Sequence, residues 1–190
     1  MLLKNNDVEI EYTLTNKSSK VVLILTGVGG APQGYENKYE TIKNYLREDY
    51  NVFVAISSSG VWKRPREHFD FIINFVKETM ADDTLTIYVF GNSAGGTIAL
   101  WYSHSHPCIK RIVAVNPVLQ INPHRINDGV KLFCNEFVKI IFGEKDISFA
   151  FAQLIKPNNK LEIISIPHAD HSFTGVIDRF IELPIKYLLD

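Results

Sequence analysis

Ser93 lies in the pentapeptide Gly91-Asn92-Ser93-Ala94-Gly95, between the apolar run 85–90 and a second apolar stretch containing Ile98, Leu100, Trp101 and Tyr102. A serine hydroxyl becomes a nucleophile only when a base removes its proton, so it must project clear of the backbone toward an imidazole. A sharp turn from a buried strand into a helix gives that projection, and these residues predict such a nucleophile elbow. The chain passes so close to itself in this turn that side chains two positions either side of the serine would collide, which accounts for Gly91 and Gly95. The following helix points its positive end at charge developing on a bound acyl group, and the N–H of Ala94 is the first donor for it. Without partners, the same pentapeptide describes a glycine-rich connection whose serine merely caps a helix.

Six histidines compete for the role of base. His171 follows the apolar run 161–166 and the turn Pro167-His168-Ala169-Asp170, at the C-terminal end of a strand, where open α/β sheets place their ligands. His168 shares that loop and is the direct rival. His104 and His106 belong to the far end of the helix begun at Ser93, and ten residues of helix carry them roughly 15 Å from the serine. His68 and His124 have no comparable placement. The histidine needs a carboxylate to orient it and to stabilise its charged form. Asp146 leaves the strand 137–142 through the turn GEKD at the same edge of the sheet, with Glu144 on that turn as second choice. Asp170 adjoins His171 in sequence, but neighbouring side chains tend to diverge, and a loop-capping role suits it equally.

The resulting chain order is Ser93, then Asp146, then His171. With GVGG at 27–30, GNSAGG at 91–96, GEKD at 143–146 and HADHSF at 168–173, the sequence from about residue 8 to its end resembles the α/β-hydrolase superfamily, as a small serine esterase-like member. The resemblance implies a three-layer α/β/α sandwich with a mostly parallel central sheet. It implies Ser93 as nucleophile, Asp146 as acid and His171 as base, with the backbone N–H groups of Val28 and Ala94 forming the oxyanion hole. The expected reaction is hydrolysis of a small carboxylic ester through an acyl-enzyme, with no metal or organic cofactor. A thioesterase or peptidase of this fold would use the same residues, and a non-catalytic interaction protein would keep the elbow while losing aligned chemistry. Two departures stand out. Thr26 occupies the position before the first glycine where many relatives have histidine, and the segment between the strands 111–115 and 137–142 leaves room for only a minimal cap.

Around this centre, Trp62, Lys63 and Arg64, with Arg66, form a short basic and aromatic patch after the strand 52–56, suited either to an anionic substrate group or to a solvated helix start. Phe149, Phe151 and Leu154 after Asp146 either line an acyl pocket or cover the sheet. GVGGAPQG is a poor phosphate cradle: it lacks the Lys-Ser/Thr ending of a P-loop, and Pro32 stands where a dinucleotide fold needs its third glycine.

The elements that must hold these groups can be read from periodicity. Residues 8–14 alternate apolar with polar, as an edge or near-edge strand does. Residues 21–26, 52–56, 85–90, 111–115, 137–142 and 161–166 are short apolar runs of buried-strand type. Between them, Tyr35, Tyr39, Ile42 and Leu46 mark a helix over 35–50, and Phe69, Ile72, Ile73 and Val76 mark another beginning near Pro65 and broken by Asp82 and Asp83. The helix after Ser93 is expected to end at Pro107, and 174–188 carries a final stripe interrupted by Pro184. Alternating strands and helices predict an α/β domain spanning 1–190, with 120–135 as a lid, an irregular crossover or an undetected helix.

Composition agrees. Twenty Lys plus Arg stand against 21 Asp plus Glu, which excludes the electrostatic footprint of a general nucleic-acid binder. Aromatic residues make up 12% of the chain, more than disorder tolerates. Two cysteines, Cys108 and Cys134, are too few for a disulfide framework or a cysteine zinc site. No secretory signal or membrane-length apolar run is visible, so a cytoplasmic protein without a membrane span, acting on a small molecule, is expected.

Overall fold

The short apolar runs form one eight-stranded sheet in the computed structural model, which describes residues 2–4, 8–15 and 18–189. Its strands are β1 (Leu2–Lys4), β2 (Val8–Thr13), β3 (Lys20–Leu25), β4 (Asn51–Ser57), β5 (Thr86–Asn92), β6 (Ile109–Val115), β7 (Phe137–Gly143) and β8 (Leu161–Ile166), in the spatial order β1-β2-β4-β3-β5-β6-β7-β8. β1 and β2 run antiparallel to their neighbours, and β3 to β8 are mutually parallel. The alternating strand β2 therefore lies one place from the edge, beside β1, a strand too short to leave a period in the sequence.

Successive side chains of a strand point to opposite faces, and both faces here are covered. In β3, Val21, Leu23 and Leu25 enter one core while Val22 and Ile24 enter the other. Helices α2 (Pro65–Met80), α3 (Ala94–Tyr102) and α4 (Pro123–Leu132) cover the first face; α1 (Lys38–Leu46) and α5 (Ile177–Pro184) cover the second. This is the expected three-layer α/β/α sandwich. All nine residues of α3 are buried, which explains why its sequence is apolar all round rather than striped.

Several boundaries differ from those read in the sequence, each for a local reason. The stripe 35–50 is split: Glu36 and Asn37 adopt left-handed backbone with φ of 51° and 58°, so a short 3₁₀ turn, Tyr35–Asn37, precedes α1. Helix α3 stops at Tyr102, well before Pro107, and continues as a 3₁₀ turn, Ser103–Ser105. Pro184 ends the regular part of α5, because its missing N–H removes a helical bond, and the chain widens into a π-helical turn, Ile185–Leu189. Residues 123–132, inside the unassigned segment 120–135, form α4. It begins at Asn122, whose side chain accepts the Arg125 N–H at 3.0 Å, and lays Ile126 and Val130 against the core beside α3. Among the described residues no helix is long and apolar enough to cross a membrane.

Because β3, β5, β7 and β8 are parallel, the loops leaving their C-terminal ends emerge on one edge of the sheet. Residues 27–30, Ser93, Asp146 and His171 all follow those ends.

Candidate active site

Ser93 occupies the turn between β5 and α3 with φ 53° and ψ −119°, a conformation costly for a residue with a Cβ and tolerated where surrounding structure enforces it. The enforcement comes from its neighbours. A Cβ on Gly91 would lie 2.6 Å from the Gly96 Cα, and one on Gly95 would lie 2.4 Å from the Leu25 carbonyl oxygen. The turn closes only with both positions bare, and the Ser93 N–H is tied to the Val115 carbonyl at 2.8 Å.

The three separated side chains meet. His171 Nε2 lies 3.0 Å from Ser93 Oγ, and His171 Nδ1 donates to Asp146 Oδ2. The Asp146 side chain is fully buried whereas that of His171 is half exposed. Burial works to raise the Asp146 carboxyl, but hydrogen bonds from His171 and from the Ser148 N–H, at 2.6 Å, outweigh it and hold the group below its ordinary value. The carboxylate is therefore charged and aimed at the imidazole.

Asn116, a residue the sequence reading passed over, fixes the relation between acid and base. It is fully buried with φ 45°; its Oδ1 accepts the Gly143 N–H at 2.8 Å, and its Nδ2 donates to the carbonyls of Asp170 and His171, each at 3.2 Å. One side chain thus clamps the end of β7 to the histidine loop. Gly143 completes the approach, since a Cβ there would lie 2.5 Å from the Ala169 carbonyl oxygen. The available signal was an asparagine directly after a strand, a residue type that tolerates left-handed backbone.

The rival residues fall elsewhere. His168 is exposed on the same loop. His106 Nε2 contacts Asp70 Oδ1 at 2.8 Å, beyond the far end of α3. Glu144 Oε1 accepts Ser165 Oγ at 3.3 Å on the surface, and Asp170 Oδ1 accepts the N–H groups of Ser172 and Thr174 at 3.0 and 2.9 Å. A second serine–histidine pair, Ser57 Oγ and His68 Nε2 at 2.7 Å, is buried between β4 and α2. Ser57 lies within a strand rather than on an elbow, and its carbonyl accepts the Gly29 N–H at 3.0 Å, so the pair braces the glycine loop.

That loop carries Val28. Thr26, before the first glycine, donates its hydroxyl to the Gly27 carbonyl at 3.0 Å, so this position makes a local bond within the loop. A Cβ on Gly27 would approach the Ser93 Cβ to 3.3 Å, so the loop and the elbow are in near contact. Val28, Ala94, Ser93 and His171 line one cleft of about 610 Å³, together with Trp62, Val118, Ile121, Asn92, Tyr39 and Lys38. The volume suits a small organic molecule. Of the four candidate substrate contacts, only Trp62 lines this cleft. Lys63 is exposed; Arg64 is exposed and pairs with Glu67 at 3.3 Å. Phe149 packs against Phe142 instead, ring centroids 5.9 Å apart and tilted by 41°, so it covers the sheet. Among the described residues no group of three or more His, Cys, Asp or Glu side chains is placed to hold a metal ion.

The sheet order, the layers and the elbow define an α/β-hydrolase fold. No protein-family model and no curated protein matches the sequence. Solved structures match throughout. The chain superposes on Est1E from Butyrivibrio proteoclasticus with a TM-score of 0.73 and 16% identity, covering 100% of this chain and 97% of that one. Est1E with ferulic acid bound gives 0.74, again at 16% identity, with 100% and 98% covered. An alpha-beta serine hydrolase homologue from Coxiella burnetii gives 0.71 at 17% identity, covering 98% and 95%.

Proposed function

We propose that the protein is a serine hydrolase that cleaves a small carboxylic ester through an acyl-enzyme, with residues 1–190 acting as one hydrolase domain. The observation that carries this reading is the unbroken line from Ser93 Oγ through His171, with Nε2 at 3.0 Å, to the buried Asp146 carboxylate. His171 removes the Ser93 proton as Oγ attacks the ester carbonyl, and the imidazolium is held by Asp146. The oxyanion is taken by the N–H of Ala94, at the first turn of α3, and by the N–H of Val28. His171 then protonates the departing alcohol. Water attacks the acyl-enzyme with the same imidazole as base, and Ser93 is restored.

The binding of ferulic acid, an aromatic carboxylic acid, by Est1E is consistent with an ester or its acid product as ligand. A cleft walled by Trp62, Val118 and Ile121, with Ile121 and Val28 exposed at its rim, suits a compact apolar group better than a long buried chain.

A fluorophosphonate probe tests the mechanism. Stoichiometric labelling that disappears in Ser93→Ala supports it; folded protein that stays unlabelled rules it out. Turnover of matched ester, thioester and aminoacyl-amide substrates then assigns the leaving group, with the ester expected to be fastest.

A further inference from the structure

Lys38 is the first residue of α1 and lines the same cleft as Ser93 and His171, yet the residue is only 4% exposed. A buried ammonium is normally paired, because leaving water costs far more than the chain's flexibility can return. Here it is not. Among the described residues no carboxylate or other acceptor hydrogen-bonds it; its Nζ lies 4.0 Å from the centroid of the Phe180 ring and 5.2 Å from that of Tyr39. The nearest influence of opposite sign is Asp170, whose Oδ1 is taken up by two backbone N–H groups of its own loop. Burial pushes the Lys38 ammonium down to about 8, with the charge of Asp170 opposing. Ring faces offer such a cation a partial substitute for water, but none of the described residues fills its three donors, and the side chain borders the open cleft.

From this unpartnered cation in the wall of the cleft, we infer that the substrate carries a carboxylate besides the reacting ester, and that Lys38 binds it. The inference rests on the proposed hydrolase reading of the same cleft and deepens it. The carboxylate supplies the missing counter-ion, and the low dielectric of the site makes the bond strong. A single charge is specified, because a dianion beside Asp170 would leave negative charge unmatched between two aromatic rings. Lys38 is a binding residue here; the proton transfers belong to His171.

The test compares esters that differ only in a terminal methyl or carboxylate: para-nitrophenyl valerate against mono-para-nitrophenyl glutarate on the acyl side, and pentyl acetate against the acetate ester of δ-hydroxyvalerate on the alcohol side. In one of the two pairs the carboxylate member is expected to have a kcat/KM higher by about tenfold or more, the effect of one charged hydrogen bond in a partly dry site. The ratio within that pair should fall to about one or below in Lys38→Met and be partly kept in Lys38→Arg, with melting curves showing that both variants are folded. Equal rates within both wild-type pairs, or a preference that persists in Lys38→Met, overturns the inference and leaves the hydrolase reading standing. Calorimetric binding of the same two pairs to Ser93→Ala protein reads the inference without turnover. Tighter binding of one carboxylate ester, lost when Lys38→Met is added, supports it even if the wild type proves inactive, whereas equal affinities overturn it.

Discussion

The geometry at Ser93 divides labour between two atoms of one ring: Nε2 faces the Ser93 hydroxyl, and Nδ1 faces a carboxylate sealed from water. Replacing Asp146 with Asn preserves shape but presents an amide that can donate to Nδ1, stabilising the tautomer whose Nε2 carries the proton and cannot accept one. A loss of roughly 10³ to 10⁴ in kcat is expected, with far less change in KM, measured on whichever ester the protein cleaves best. The same substitution has a stability signature. The Asp146 carboxyl is held below its ordinary value, so its contribution is fully present above the unfolded carboxylate range near 4 and is lost as pH falls through the folded value. Wild type should therefore melt above Asp146→Asn at neutral pH, and the gap should close below about pH 4. A gap independent of pH would show that the carboxylate adds no net charge stabilisation.

At the scale of elements, the site depends on close approaches that no side chain could survive. The first turn of α3 packs onto the end of β3 because Gly95 lies against the Leu25 carbonyl, and β7 reaches the histidine loop because Gly143 lies against Ala169. Helix α4 repeats the device away from the chemistry: a methyl on Gly129 would fall 1.9 Å from the Leu100 carbonyl oxygen of α3. A glycine inside a helix costs about 1 kcal/mol relative to alanine, so its presence is explained by that contact. Gly129→Ala should destabilise the protein by about 3 kcal/mol or more in denaturant unfolding, although the substitution raises helix propensity. A neutral or stabilising result would mean that α4 is free to move off α3. The same contact explains why α4 escaped periodicity: ten residues, only Ile126 and Val130 as buried apolar side chains, and a glycine where a reader expects a boundary.

For the molecule as a whole, the two-faced core holds at Lys38 a cation with no ion-pair partner among the described residues, and the proposed binding role and stability pull apart there. Lys38→Met keeps the unbranched stem and removes the charge, so it should raise stability near neutral pH by about 1 to 3 kcal/mol, some 2 to 12 °C in melting temperature for a chain of this size. The sign follows from linkage. The folded value is lowered to about 8 while the unfolded value stays near 10.4, so the unfolded chain binds more protons between them and wild-type stability rises with pH across that window. The advantage of Lys38→Met should accordingly shrink above pH 8, and a variant less stable than wild type at pH 7 would show the ring contacts outweighing burial. Most of the strand and helix order, the elbow at Ser93 and the choice of Ser93, Asp146 and His171 as the side chains that meet there were legible from residue types alone, because hydrophobic period and glycine spacing are local properties. The clamp at Asn116, the split before α1, the withdrawal of Phe149 and Lys63 from the cleft and the isolation of Lys38 were not. Each depends on which distant backbone or ring comes to lie within a few ångströms, and that is decided only when the chain closes on itself.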